Sequence, residues 1–478
     1  VKKYLLYLVL LACCFAQTLA LAASQEEIHR QILPLLQHQL PRAAIGIAVA
    51  DAKTGHILYE HNSFQAFNPA SCAKLFSTSA SLFSLGPEYR FSTDAYYNKA
   101  DLVEGTLQGN LTIKFSGDPS MTVDKLKQLV SRIRESGVQR VVGNVVIDNT
   151  AFLPPWHGPG WSQDDLNWYY AAPITSVIIN QNALGVNITP NPILNKPATL
   201  SLADGPLKPF VKLTHSVNTV TYEQSMEACQ INLDVDEKNN VTLSGCWPSG
   251  EHAQYFGVSV RNPDAMARAV LTHLLNQANI KLEGNIVTGS VPTKLPVVVS
   301  VESLPLKNLI TTVLKESNNV YAEAITKTLG RHVYHEGSFL AGSRAIKSVL
   351  KKTTDIDFTQ AVLVDGSGQS RYDLVTPRQI VRLLHVMGND SKFAELFINA
   401  LPESGTDGTL SGRMKSADLA HHIHAKTGSF QGTSTLSGYM TTKSGKLIIF
   451  SLLINHVVGE LDQARSLQTK VATVLYQL

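Results

Sequence analysis

The stretch "AFNPASCAKLF", residues 66–76, sets a serine three positions before a lysine at the opening of a predicted helix. Asn68 is a favoured N-cap and Pro69 suits the first helical position, so Ser71 is expected in the first turn. A spacing of three lays Ser71 and Lys74 on one face, where an amine can reach a hydroxyl. Ala70, Ala73, Leu75, Phe76, Ala80, Leu82 and Phe83 give the helix an apolar side. An ordinary capped core helix accounts for that side but not for the lysine.

A serine hydroxyl is a poor nucleophile until a base takes its proton, and a lysine can do so only when neutral. A helix N-terminus carries partial positive charge, which disfavours an ammonium and favours an anionic intermediate nearby. A second cation would push the lysine further toward neutrality. Lys-Thr-Gly occurs twice. In "DAKTGHI", Lys53, Thr54 and Gly55 lie between apolar strands and read as a hairpin turn. In "HIHAKTGSFQGTSTLSGYM", Lys426, Thr427 and Gly428 open a long strand region, where the glycine lets a ligand approach a strand edge while lysine and threonine supply cation and hydroxyl. Ser-x-Asn also occurs twice, as Ser216 to Asn218 in a strand-like surface segment and as Ser317 to Asn319 between the helical stretches "LKNLITTVLKE" and "VYAEAITKTLG". By itself the second is a plain helix-connecting turn. A second Ser-x-x-Lys, Ser348 to Lys351 in "KSVLKK", reads as a solvated helix face.

The chain has 478 residues, which at roughly 150 per domain suggests about three domains. Apolar residues at 44% and charged residues at 17% fit a packed globular protein and argue against disorder. The start, "VKKYLLYLVLLACCFAQTLALAA", has a basic head, an apolar run and small residues at Ala20–Ala22, the pattern of an export signal cut after Ala22 or Ala23. An uncleaved anchor and a lipid-bearing Cys13 are alternatives, opposed by the broken apolar run and by bulky Leu11. With 41 basic and 38 acidic residues overall, and two lysines but no acid in the leader, the mature chain is near neutral. Nothing in that balance points to nucleic acid. Outside the leader the cysteines are Cys72, Cys229 and Cys246. In an oxidising compartment Cys229 and Cys246 can close a short loop worth about 3 kcal/mol, while Cys72 is expected to pack inward as a small hydrophobe.

A helix near residues 25–38 and two apolar strands precede the Ser71 helix, which ends at Gly86-Pro87. From there to about residue 300 the chain breaks into short β-rich runs, after which helical periodicity returns and gives way to strands and an amphipathic terminal helix. The segments "LVSRIRESGVQRVVGNVVID" and "VLTHLLNQANIKLEGNIVTG" echo one another as helix, break and strand, which suggests halves of one domain separated by a further insertion at 173–251.

Together, Ser71/Lys74 at a helix start, Ser317/Asn319 between helices and Lys426/Thr427/Gly428 on a strand resemble the three signatures of penicillin-recognising serine hydrolases. The likeness extends to "GDPS" at Gly117 and "DGSGQSRYD" at Asp365, and so covers nearly the whole mature chain. It is similar to the D-alanyl-D-alanine carboxypeptidase/endopeptidase branch, the penicillin-binding protein 4 type. The fold this implies is α/β (α+β): a β-lactamase/transpeptidase-like catalytic domain at 24–86 and 300–478, an inserted domain at 87–172 and 252–299, and a nested β-rich domain at 173–251. The resemblance implies that Ser71 attacks the carbonyl between two terminal D-alanines or in a D-amino-acid crosslink, with Lys74 as its base. Ser317, held near Lys426, would relay a proton to the leaving amine, and Asn319 would orient Lys74 or the substrate amide. Thr427 and Ser429 would hold the substrate carboxylate, Lys426 supplying field, with the backbone N–H groups of Ser71 and Ser429 as oxyanion hole. Asp165, or its neighbour Asp164, would approach the active-site lysine, and Arg371 would either contact the peptide stem or order its own loop. The implied partners are peptidoglycan stem peptides and crosslinks and β-lactam antibiotics. No cofactor, metal, nucleic acid or mature transmembrane anchor is called for, and a homodimer stays open.

Four rivals remain. A Ser-His-Asp hydrolase lacks a Gly-x-Ser-x-Gly elbow here. His421, His422 and His424 hint at metal but lack a supporting Cys or Glu framework. A β-lactamase on the same scaffold fits the large insert less well, and a non-turnover wall-binding protein would keep the pocket without releasing product.

Overall fold

The computed structural model describes residues 26–478 except 204, 228, 251, 293 and 294, so the leader with Cys13 and Cys14 lies outside the described residues. The chain forms two compact units. The first comprises the segment up to Ser84, Ile310–Ser317 and Ile346–Leu478; the second comprises Leu85–Leu309 and Asn318–Ala345.

The first unit is built on a five-stranded antiparallel sheet in the order Ile423–Phe430, Thr433–Thr441, Leu447–Asn455, Ala44–Asp51, Ile57–His61. The strand "AIGIAVAD" explains how it packs. Successive side chains point to opposite faces, so Ile45, Ile47 and Val49 line one side while Gly46, Ala48 and Ala50 line the other. The branched side joins a core with the helix over 26–39, through Ile28, Ile32 and Leu36, and with the terminal helix Asp462–Tyr476, through Leu467, Val471 and Leu475. The small side receives the helix Pro377–Asn389: a methyl at Gly46 would lie 2.9 Å from the Pro377 ring, and the Tyr439 hydroxyl donates to the Leu384 carbonyl at 2.6 Å. The terminal stretch is thus core packing, as its periodicity suggests. Lys53 to Gly55 form the expected hairpin turn, with Asp51 Oδ1 accepting from the Lys53 and Thr54 amides.

In the second unit the internal echo becomes a structural pair. Helices Val123–Glu135 and Pro263–Gln277 are capped by Thr122 and Asn262, whose side chains accept from Lys125 and Ala265 amides. Each leads to a strand, and those strands, Val145–Asp148 and Ile286–Gly289, lie side by side in parallel in a five-stranded sheet. The segment between holds two three-stranded sheets, and Cys229 is disulfide-bonded to Cys246, 17 residues on. The second unit also takes in 318–345, a segment the sequence alone assigns to the catalytic domain. Its anchor is Lys327, on the helix Asn319–Tyr334. The Lys327 ammonium donates to the carbonyls of Leu153, Pro155 and Ile174 at 3.0, 3.1 and 3.0 Å and lies over the rings of Phe152, Trp156 and Phe339. Burial pulls its pKa down to about 7, opposed by Glu323. Among the described residues, no helix is long and apolar enough to cross a membrane.

Candidate active site

Ser71 sits in a tighter turn than the sequence suggests. Residues Ala70–Ala73 form a 3₁₀ turn entered through Pro69, and the α-helix runs over Lys74–Leu85. Asn68 still contributes a cap, since its side-chain oxygen accepts from the Ala70 amide at 2.8 Å. Ala70 is the reason for the difference: its φ of +45° is left-handed and costs an L-residue about 1 kcal/mol or more, so the surroundings must hold it there. Gly368 does so by close approach, because a methyl at that position would lie 1.8 Å from the Ala70 carbonyl oxygen.

The result is an amine pointed at a hydroxyl. Lys74 Nζ lies 2.9 Å from Ser71 Oγ and donates to the Ser367 carbonyl at 2.7 Å. The Lys74 side chain is fully buried, whereas Ser71 is partly open. Ser367 belongs to the "DGSGQSRYD" loop, which Asp365 folds upon itself: its two carboxylate oxygens accept from the amides of Gly368 at 2.7 Å and Ser370 at 2.8 Å. The same loop accepts from Ser77 through the Gly366 carbonyl at 2.7 Å and from Asn68 through the Ser370 carbonyl at 3.0 Å.

The Lys-Thr-Gly strand arrives at the serine turn from the edge of the sheet. Gly428 is buried against it, and a methyl there would lie 2.8 Å from the Ser71 amide nitrogen and 2.3 Å from Thr435 Oγ1. Lys426 Nζ donates to Ser317 Oγ at 2.9 Å and to the Thr427 carbonyl at 2.7 Å. Burial brings the Lys426 pKa down to about 8, opposed by Cys72. Ser317 itself has a left-handed φ of +59°, a strained backbone for a serine. Thr427 Oγ1 donates to Thr409 Oγ1 at 2.6 Å, and Ser429 is exposed on the strand. Cys72 packs inward as expected: burial raises its thiol, opposed by the Thr435 hydroxyl and by the charges of Lys426 and Lys74.

The remaining candidates divide. Arg371 is exposed, with its guanidinium 3.9 Å from the centre of the Phe430 ring, at the end of the Lys-Thr-Gly strand. Asp165 and Asn319 belong to the second unit and both engage Tyr170: the tyrosine hydroxyl donates to Asp165 at 2.9 Å, and Asn319 Nδ2 donates to the Tyr170 carbonyl at 2.8 Å. Asp165 rather than Asp164 holds that hydroxyl. The helix begins at Asn319 because Asn318 is its cap, accepting from the Tyr321 amide at 3.1 Å. His421 meets Glu403 at 2.9 Å, and no group of three His, Cys, Asp or Glu among the described residues is placed to hold a metal. Sequence reasoning missed the Ser367 carbonyl and the Thr409 hydroxyl. The acid flanked by glycines and serines at 365–370 was the signal available for the first.

The model of the D-Ala-D-Ala carboxypeptidase 3 (S13) family matches residues 31–477. The chain belongs to that family. Among S13 relatives, it is 29% identical over 442 residues to the D-alanyl-D-alanine carboxypeptidase DacB of Haemophilus influenzae, covering 89% of each chain. The crystal structure of penicillin binding protein 4 (dacB) from H. influenzae superposes with a TM-score of 0.84 at 27% identity, covering 94% of this chain and 99% of that one. The same protein complexed with a β-lactam superposes with a TM-score of 0.80 at 26% identity, with the same coverage of both. The S13 scaffold is the mixed α/β, transpeptidase-like fold expected from the three signatures.

Proposed function

We propose that this S13 chain is a serine-type D-Ala-D-Ala carboxypeptidase and DD-endopeptidase working through an acyl-enzyme on Ser71. The observation that carries the reading is the 2.9 Å approach of Lys74 Nζ to Ser71 Oγ, beside an edge strand packed against the Ser71 amide. To act as base, Lys74 must meet Ser71 without its proton; the Ser367 carbonyl then fixes the direction of its lone pair. The Ser71 oxygen attacks the carbonyl between the last two D-alanines, and the charge that develops on the carbonyl oxygen falls to the amides of Ser71 and Ser429. One such donor contributes about 2.7–4 kcal/mol in enzymes generally. As the C–N bond breaks, the proton that Lys74 took from Ser71 is returned to the departing amine through Ser317, which is hydrogen-bonded to Lys426 and keeps its own hydroxyl in the exchange, and D-alanine leaves. Thr427, with Thr409 behind it, and Ser429 bind the terminal carboxylate. Asn319 orients the substrate amide, and Asp165 and Arg371 recognise the stem. Water then frees the acyl group. The same acyl-enzyme forms from a D-amino-acid crosslink, with a second stem peptide as leaving group. A β-lactam, the ligand in the H. influenzae complex, would acylate Ser71 and leave slowly.

The leader-like start and the Cys229–Cys246 disulfide support export to the periplasm. For the domain plan, the parallel pairing of Val145–Asp148 with Ile286–Gly289 supports joining 87–172 to 252–299 around a nested 173–251. The test is mass spectrometry of muropeptides before and after incubation with wild type and Ser71→Ala. Loss of one terminal alanine reports carboxypeptidase action and cleavage of dimers reports endopeptidase action. β-Lactam labelling without either mass change would favour a binding protein that no longer turns over.

A further inference from the structure

In the second unit, strands Ala183–Thr189 and Gln254–Ser259 pair antiparallel with Gly185 directly opposite Gly257. On this antiparallel pair, residues opposite one another and those two positions away share a face. Leu184, Val186 and Ile188 go to the core, which leaves Gly185, Gly257 and Tyr255 on the other side. Each glycine is the floor under a tyrosine. A methyl at Gly257 would lie 2.6 Å from Tyr169 Cγ, and one at Gly185 would lie 2.5 Å from Tyr255 Cε2. Both rings therefore rest on bare backbone, and they remain 49% and 68% exposed. They line a cleft of about 510 Å³ whose rim carries Asn180, Gln181 and Lys208.

Core packing does not explain this arrangement. Glycine inside a strand weakens it, and a large aromatic left two-thirds in water contributes little to folding. The cleft wall is also strained: Asn180, Gln181 and Asn182 are three consecutive residues with φ of +50°, +59° and +51°. Such strain gathers where a binding surface is preformed. The wall is tied to residues already described, since Gln181 Oε1 accepts from Asn318 Nδ2 at 2.7 Å and the Tyr169 ring meets the Tyr170 ring edge-on at 5.5 Å.

We infer that this cleft binds the glycan strand of peptidoglycan, with Tyr169 and Tyr255 as stacking platforms for its amino sugars. A pyranose presents apolar C–H faces and polar edges. Flat tyrosine faces suit the former; the side-chain amides of Asn180 and Gln181 and the Lys208 ammonium suit the hydroxyl and N-acetyl edges. A single-stranded nucleic acid also stacks on aromatics but needs a basic track, which one lysine at the rim does not make. The choice of polymer rests on the proposed function, because the D-Ala-D-Ala stems hang from that glycan; the cleft would hold the strand while a stem is processed.

The test is calorimetric titration of the full mature chain with peptide-free glycan strands of N-acetylated amino sugars, alongside D-alanine release from a soluble, glycan-free pentapeptide. Wild type is expected to bind the strands, Tyr255→Ala to bind at least tenfold more weakly, and Tyr255→Phe, which keeps the ring, to stay within threefold. Tyr169→Ala gives a second, independent reading of binding. Release of D-alanine from the soluble pentapeptide should be unchanged in Tyr255→Ala, while release from intact wall sacculi falls. No binding of glycan at millimolar concentration, equal binding by Tyr255→Ala, or binding in the cleft of free stem peptide instead of glycan would each overturn the inference. Failure of wild type to release D-alanine from the pentapeptide would instead strike the proposed function, leaving the glycan titration to decide the cleft.

Discussion

Replacing Gly428 by alanine puts the contact between edge strand and serine turn to a quantitative test. The added methyl would lie 2.3 Å from Thr435 Oγ1, 2.8 Å from the Ser71 amide nitrogen and 2.9 Å from the Pro69 carbonyl oxygen. Carbon needs about 3.5 Å from such atoms, so the strand must back away from the serine turn by roughly 1 Å. Overpacking of this kind costs about 1–3 kcal/mol of stability. The effect on chemistry should be larger. In the proposed mechanism the amides of Ser71 and Ser429 form the oxyanion hole across that contact, and an oxyanion donor drawn back by about 1 Å no longer makes a hydrogen bond. Losing one donor costs about 100- to 1,000-fold in rate. The assay is the second-order rate of acylation by a fluorescent penicillin in stopped flow, with thermal unfolding followed in parallel. Acylation within threefold of wild type despite a lowered Tm would refute the reasoning, because the strand would then have moved without harm to the serine. So would full recovery in Gly428→Ala/Thr435→Ala, which would put the obstruction at the threonine and not at the Ser71 amide.

Other consequences can be measured with the same reagents. Lys426 loses its proton near pH 8, so kcat/KM for D-alanine release should fall as pH rises past about 8, and activity still climbing at pH 10 would contradict a cationic role. The same depressed pKa has the opposite sign for stability. Between about 8 and the usual 10.5 the unfolded chain holds a proton that the folded one lacks, so this group's contribution rises with pH by about 3 kcal/mol across that window. Comparing the pH dependence of unfolding in wild type and Lys426→Met isolates it; parallel curves would speak against it. Ser317→Ala removes the hydroxyl that Lys426 holds and should lower turnover about 100- to 10,000-fold, the range of a proton-transfer group, with Tm nearly unchanged. Asp365→Ala frees the amides of Gly368 and Ser370, so the loop presenting the Ser367 carbonyl to Lys74 should relax. A Tm drop corresponding to about 1–3 kcal/mol with at least tenfold slower acylation is expected, and a Tm drop alone would deny the loop its positioning role.

Local spacing carried much of the site. Ser71 and Lys74 are three apart, so any helical turn brings them together, and the chain does so even though the turn is 3₁₀ and not α. The Ser317–Lys426 pair spans 109 residues and was legible only because three short signatures occur in one order. What was hidden depends on tertiary contacts. No local rule gives Ala70 its left-handed φ, which is tolerated because Gly368, nearly 300 residues on, leaves room for the Ala70 carbonyl. Lys327 is the clearest case in the fold. A lysine in "VYAEAITKTLG" reads as the polar face of an amphipathic helix, yet it is buried beneath three carbonyls supplied by Leu153, Pro155 and Ile174. The internal echo shows the reverse: two similar segments told of a repeated unit, and the strands they form do lie side by side, in parallel.

The central claim is that Ser71 is the acyl acceptor. Intact-protein mass spectrometry after brief exposure to a penicillin, followed by peptide mapping, tests it most directly. The account predicts one adduct per chain, on the peptide containing Ser71, and none on Ser71→Ala. An adduct mapped to another residue, or one that persists in Ser71→Ala, would contradict it.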